Sequence, residues 1–418
     1  IKSLVMTSSL VSTGWEHHKN ITGKMSSFKN KHINYYLSIL FIFSVFYLFE
    51  KHTVGNDSTI SEWLINYEGG FTKRGLIGQL CIFFSDFLDL KLRQIILLFQ
   101  IIITAVYFFL LSNFFSNLKL DKLVLLSVFS PIFILYPVAE IEVLARKETF
   151  IFVLFLSYFF LETKLHRFVY KLTILPLCIL IWEPVIFFFP FWLLIDLIKD
   201  KFKIDFSYLL KSMFPFLPSV IVAFYIALNP ISEFQHNEMA SFLKENFNEN
   251  CYMSCGLLLN KSTIFDQFSS NFPLYSFEVF LRYFLILIIG FGPLIILIYY
   301  SKVKKINKSI FVILIIFPVL VLFSMMSDWG RIVNIFYTFS ILTYMHLLQK
   351  KLVIINQSIN KNFFLNKLNN KKIFIFFFII FAFGWNPKTS ITGDVASKPG
   401  YQIPRKAIKI IYYKYINN

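Results

Sequence analysis

Apolar runs of bilayer-crossing length, or close to it, recur along the whole 418-residue chain, and that recurrence excludes most other folds. A hydrocarbon core about 30 Å thick needs roughly 17–25 apolar residues per helical crossing. The chain is 56% hydrophobic and 19% aromatic, with 54 Phe and only 14 Gly, more apolar surface than a soluble core of this size needs. The sequence therefore predicts an all-α, polytopic integral membrane protein. Eleven transmembrane helices are expected, near residues 34–49, 94–115, 123–138, 149–162, 172–182, 185–197, 209–228, 279–300, 309–326, 332–348 and 373–385. Segment 75–90, "GLIGQLCIFFSDFLDL", is apolar on one side but carries Asp86 and Asp89, and reads as a helix lying in the membrane interface.

Residues 1–24 are polar and unperiodic, whereas Met25 opens "MSSFKNKHINYYLSILFIF", a short basic lead into an apolar segment. Residues 1–24 are thus expected to be a misassigned or disordered extension, 25–385 a single membrane domain and 386–418 a basic tail. The formal charge of +17 raises the question of nucleic acid, but no basic arm interleaved with aromatics appears. Lysines that hold cytoplasmic loops in place account for it. With the N-terminus in the cytoplasm, cytoplasmic segments hold 24 Lys and Arg, against 11 in the outer segments before the tail and six in the tail itself. This balance requires "LTILPLCILIWEPVIFFFPFWLLIDLI" to be a hairpin turning at Trp182-Glu183-Pro184, because a single helix there would reverse every later loop. Two outer loops stand out, a first loop at 50–93 and a larger one at 229–278. In the larger loop Cys251 and Cys255 form a C-x3-C pair, a disulfide candidate in an oxidising compartment. His236 alone does not complete a tetrahedral set with them, so no metal site is expected.

Arginine is scarce, 7 against 34 Lys, so the places that keep it are informative. A guanidinium is preferred where a planar fork must grip carboxylate or phosphate at two points. On this topology Arg74, Arg146 and Arg331 lie outside, each with an acid within six residues, and 18 of the 24 carboxylates share that side. Headgroup anchoring at helix ends is the plainer account of any single Arg. Glu183 sits at the membrane-depth turn, where an ionisable group is a functional candidate by default. The pattern suits an outer pocket for an anionic, lipid-attached substrate. Lys73, Arg74, Arg146, Lys147 and Arg331, with Glu183 and Asp328, would bind it, and a carboxylate would take a proton from an acceptor hydroxyl. Glu68 is the favoured base, because Gly69-Gly70 leaves room for substrate and Gly75 follows nearby. Glu62 is the rival, because Trp63 offers a platform for a sugar ring.

With its long first outer loop carrying acids and running into an interfacial helix, the chain resembles the multispanning glycosyltransferases of the GT-C type and the O-antigen or capsule polymerases. The resemblance implies a polyprenyl-diphosphate-linked sugar donor and a glycan acceptor. It further implies transfer at the outer face of a bacterial cytoplasmic (inner) membrane during surface polysaccharide assembly. Membrane lipids and other polysaccharide-assembly proteins are the remaining partners it suggests, and nucleic acid is not among them. No cofactor is expected, and no residue group supports a divalent metal. The chain departs from those families in two respects. The adjacent acidic pair of GT-C first loops is absent, since Glu62 and Glu68 are six apart, and no Arg-x10-Gly follows any arginine. A transporter or flippase of lipid-linked glycans is the alternative, and a membrane scaffold a third.

Overall fold

The least apolar of the long helices, Trp329–Gln349, runs through the middle of the molecule. In it 89% of the most apolar stretch is buried, against 28–44% in the other four long apolar helices. Its Asn, Tyr, Thr, Ser and His side chains would be costly against lipid, so the helix is shielded by its neighbours. The computed structural model describes residues 30–54, 58–116, 118, 121–200, 206–260, 263–303, 308–355, 368–395 and 397–416. Residues 1–24 and Met25, expected to be an extension and a start, lie outside the described residues.

The described chain is nearly all helical, as the apolar periodicity predicts, with one short antiparallel pair, Ser301–Val303 against Val353–Ile355. Among the described residues, five helices are long and apolar enough to cross a membrane: Lys31–Val54, Leu92–Ser116, Leu210–Leu228, Phe277–Tyr300 and Trp329–Gln349. The expected span 309–326 is the 18-residue helix Lys308–Met325, and the remaining ones are shorter or interrupted. Lys147–Tyr158 has 12 residues, Phe189–Lys199 has 11 and Lys371–Phe383 has 13. Lys164–Ile181 contains Pro176.

The expected span 123–138 is not one helix. Helix Lys122–Val128 stops at Phe129, a buried non-helical stretch follows, and a four-residue turn of helix resumes at Tyr136. Pro131 and Pro137 each remove a backbone donor, which breaks the ladder. Non-helical backbone is tolerated at membrane depth only where protein satisfies its polar groups. Here the central helix does so. Asn334 Nδ2 donates to the Ile132 and Phe133 carbonyls at 2.9 and 2.8 Å, and Tyr337 Oη donates to the Ser127 carbonyl at 2.8 Å.

The hairpin forms where the sequence places it. Helices Lys164–Ile181 and Phe189–Lys199 are joined by a 3-10 turn, Glu183–Phe188, which brings Arg167 to Asp196 at 2.7 Å. Segments expected to share a side also meet one another. Arg93 pairs with Glu249, Lys388 with Glu140 and Lys414 with Glu50. At the opposite end Lys350 pairs with Glu162, and Lys122 donates to the Leu368 carbonyl. Described residues of the 386–418 tail pack onto the first of these ends. Helix Pro399–Ile411 is docked there, and Tyr47 donates to the Ile403 carbonyl.

Candidate functional site: a buried arginine–carboxylate cluster under a loop roof

The site is built around Glu62. Its helix, Ser58–Leu64, is buried from Thr59 onward, and the carboxylate is fully enclosed. Arg146 grips it with two prongs, Nε to Oε2 at 2.9 Å and Nη2 to Oε1 at 3.1 Å. Arg74 Nη1 reaches Oε1 at 3.4 Å and Arg331 Nη1 lies 4.0 Å away. Arg74 in turn forks onto Glu183, with both N–O distances 2.8 Å. Arg331 pairs with Glu148 at 3.1 Å and Asp328 at 3.2 Å, and Asp328 also lies 3.9 Å from Arg146. Lys147, fully buried, donates to the Arg74 carbonyl. Five segments far apart in sequence thus converge on one network.

Two of the arginines are delivered by unusual backbone. Arg74, just before helix Gly75–Leu88, has φ 65°, and Ala145, just before Arg146, has φ 51°. A non-glycine residue in the left-handed region costs about 1–3 kcal/mol and persists only where its surroundings over-determine it. At Ala145 the surroundings are visible: its carbonyl accepts from Trp63 Nε1 at 3.1 Å and from Gln100 Nε2 at 3.4 Å.

Burial alone would push the Glu62 carboxyl up, but the charges of Arg146, Arg331 and Arg74 outweigh it and hold the group below the usual carboxylate range.

A cavity of about 110 Å³ opens on this network. Lys73, Arg74, Arg146, Arg331 and Asp328 line its floor, and Ser254, Leu257, Leu258 and Gln267 of the large outer loop form its roof. Asp328 is the one carboxylate among the described lining residues, and its side chain keeps 34% exposure. Two larger grooves, of about 670 and 700 Å³, flank helix Phe277–Tyr300. Their described linings are apolar apart from Arg282, Ser324 and a few aromatic rings that carry a polar atom. Arg282 donates to the Gly393 carbonyl at 2.6 Å.

The structure therefore brings together Glu62, Lys73, Arg74, Arg146, Lys147, Glu183, Asp328 and Arg331. Glu68 stands apart: it is exposed and accepts from Gln79 Nε2 at 2.6 Å. The room that Gly69-Gly70 was expected to leave for substrate is taken by protein. A Cβ on Gly69 would lie 2.0 Å from the Gln235 carbonyl, and one on Gly70 2.7 Å from the Gln235 side chain, so helix Glu233–Phe247 packs directly on that turn. Gly75 abuts the Tyr67 ring. The glycines join the two outer loops. Ser254 strengthens the joint, its N–H donating to Ser61 Oγ at 3.0 Å and its hydroxyl to the Ser58 carbonyl at 3.3 Å.

Cys251 and Cys255 are disulfide-bonded, with Cα atoms 5.2 Å apart. His236, distant in sequence, lies with Nε2 3.4 Å from Cys251 Sγ. Sequence reasoning missed a second polar network at the opposite end of the molecule. There Asp196 accepts from Arg167 at 2.7 Å, Lys171 at 2.6 Å and Tyr158 at 2.6 Å, and Asp200 accepts from Arg167 at 2.7 Å and Tyr208 at 2.8 Å. Arg167 is the one arginine expected on the cytoplasmic side, and that was the available signal. The network ties the two hairpin arms together.

The chain matches no protein-family model, and neither a curated protein nor a solved structure matches it.

Proposed function

We propose that this membrane protein is a glycosyltransferase or polymerase that takes a polyprenyl-diphosphate-linked sugar at the outer face of a bacterial cytoplasmic membrane. The observation that carries this reading is the cavity floor, where four cations and one carboxylate converge beneath a roof contributed by a separate loop. The forks of Arg146 and Arg74 hold Glu62 and Glu183, so an anion would meet the N–H groups those carboxylates leave over, together with Arg331 and Lys73, and in a partly enclosed site such donors bind anions strongly. The cavity has room for a phosphate group but not for a sugar as well, since small-molecule sites typically occupy about 300–1,000 Å³. The diphosphate would therefore sit in the cavity, with the sugar and the lipid outside it. Both Glu62 oxygens accept from guanidinium, so Glu62 acts by positioning Arg146 and Arg74. Asp328 faces the cavity and is the carboxylate placed to accept the acceptor hydroxyl's proton.

The first test uses farnesyl diphosphate as a short probe on the purified full chain. It is expected to raise the unfolding temperature, with farnesyl monophosphate weaker and farnesol inert. Arg74→Lys, Arg146→Lys and Arg331→Lys should each remove most of the diphosphate effect, because an ammonium cannot reproduce the fork. Equal stabilisation by diphosphate and alcohol, or full retention in all three Lys variants, sinks the reading. A second test addresses sidedness. Single cysteines at Glu68 and Glu245 should react with a membrane-impermeant maleimide in intact cells, and those at Lys302 and Lys351 only after permeabilisation. The reverse pattern removes the outer pocket.

One observation favours the transporter alternative. The buried break at Phe129–Leu135 resembles the discontinuous helices on which transport sites are built. The charged side chains that line the small cavity beside Phe133 are Arg331 and Glu148, both members of the cluster described above, and so the transferase reading is preferred.

A further inference from the structure

We propose that His236, Cys251 and Cys255 form a binding site for a thiophilic d10 cation, Zn2+ in the first instance, which replaces the disulfide when that bond is reduced. Three ligand atoms, from two helices and the stretch between them, lie within 4.8 Å of one another, the one such His/Cys/Asp/Glu group among the described residues. The C-x3-C spacing falls inside the C-x2–4-C range of tetrahedral sites. Metal–sulfur and metal–nitrogen bonds of about 2.3 and 2.0–2.1 Å set tetrahedral edges near 3.8 Å for S···S and 3.6 Å for S···N. His236 Nε2 and Cys251 Sγ, at 3.4 Å, are already close to such an edge. The two sulfurs must separate from bonding distance to reach the other edge.

The surroundings favour the complex. Cys255 is fully buried in an apolar cluster with Ile65, Ile231, Met239 and Leu258, and Cys251 packs against it half-buried. A divalent ion with two thiolates and a neutral imidazole carries no net charge, so its burial there avoids the penalty of an isolated ion. The half-buried Cys251 side leaves the fourth position to solvent. The chemistry balances with a dithiol reductant. Two electrons and two protons convert the disulfide to two thiols while the reductant becomes a disulfide, and the incoming ion displaces both thiol protons. The disulfide links Cys251 and Cys255 within one segment, whereas the metallated state would also tie helix Met253–Asn260 to helix Glu233–Phe247 through His236.

Co2+ serves as the optical probe and Zn2+ as its competitor, on the full chain in detergent. After reduction and removal of the reductant, one Co2+ per chain is expected, with a thiolate-to-cobalt charge-transfer band that Zn2+ abolishes. The oxidised protein should show no band. Cys251→Ser should lose it, and His236→Ala should weaken Co2+ binding by about tenfold or more, since even outer-sphere partners of a metal ligand are typically worth 10–100-fold. Cys81→Ser/Cys178→Ser, which removes the two buried free thiols, should leave the band intact. No band in the reduced wild type, a disulfide that resists reduction in the folded protein, or a band unchanged in Cys251→Ser overturns the proposal. Should Cys251→Ser fail to fold, His236→Ala, which keeps both cysteines, decides alone: unchanged Co2+ affinity there overturns it.

Discussion

Replacing Glu62 with Gln is expected to destabilise the protein by about 3–5 kcal/mol, the usual cost of removing one partner from a buried ion pair. The side chain has no solvent to fall back on. Arg146 would lose both of its short contacts, and Arg74 and Arg331 would face a neutral amide whose NH2 end points donors at donors. Against a total stability of about 5–15 kcal/mol, that loss is large. Loss of monodisperse protein on heating in detergent should occur at clearly lower temperature than in the wild type, and yield should fall. Glu68→Gln is the matched control. Its carboxylate is exposed and touches Gln79, so its stability should stay within about 0.5 kcal/mol of wild type. If the two variants unfold alike, the cluster is not holding the first loop in place.

The second large effect is expected at Asn334. Asn334→Leu preserves volume but leaves the Ile132 carbonyl without its donor and the Phe133 carbonyl with only the Tyr136 N–H at 3.3 Å. Each unsatisfied buried group costs about 1–3 kcal/mol. Tyr337→Phe removes one donor, that to the Ser127 carbonyl, and should cost about half as much. Asn334→Asp, equal in size but without N–H donors, should be at least as damaging as the leucine. A wild-type unfolding temperature for Asn334→Leu would mean that water or lipid reaches the break, contrary to its burial.

Much of this architecture can be read in the sequence because membrane helices must satisfy their own backbone, so length and apolarity speak directly. The five long helices and the hairpin at Trp182–Pro184 are of that kind. The arginines Arg74, Arg146 and Arg331 stand out against a lysine-rich background, and the structure places all three on Glu62. The choice between Glu62 and Glu68 was not legible. Both precede glycines and Arg74 in one loop, and only the fold shows that helix Glu233–Phe247 occupies the glycine turn while Ser58–Leu64 sinks inward. Periodicity could not mark Glu62 as buried, because its helix buries polar and apolar residues alike from Thr59 to Leu64. The break in 123–138 carried a signal in Pro131 and Pro137. Its partner, the polar-rich helix beginning at Trp329, carried another: a spanning helix poor in apolar residues is one kept from lipid. His236 and Cys251 could not be paired from spacing alone, since a helix and a turn intervene.

The cluster also has an order of synthesis written into it. Glu62, Arg74, Arg146, Lys147, Glu148 and Glu183 all emerge from the ribosome before the large outer loop is made. They can neutralise one another early, Glu62 with Arg146 and Arg74 with Glu183. Arg331 and Asp328 arrive only with the central helix, so Glu148 waits for its cation until that helix inserts. The nascent membrane domain thus holds a socket with one unmatched acid, and the arriving helix brings both the charge that fills it and the donors that seal the broken segment. A ribosome halted before Trp329 should leave a chain that is inserted but loose, and the last long apolar helix is the one that sets it.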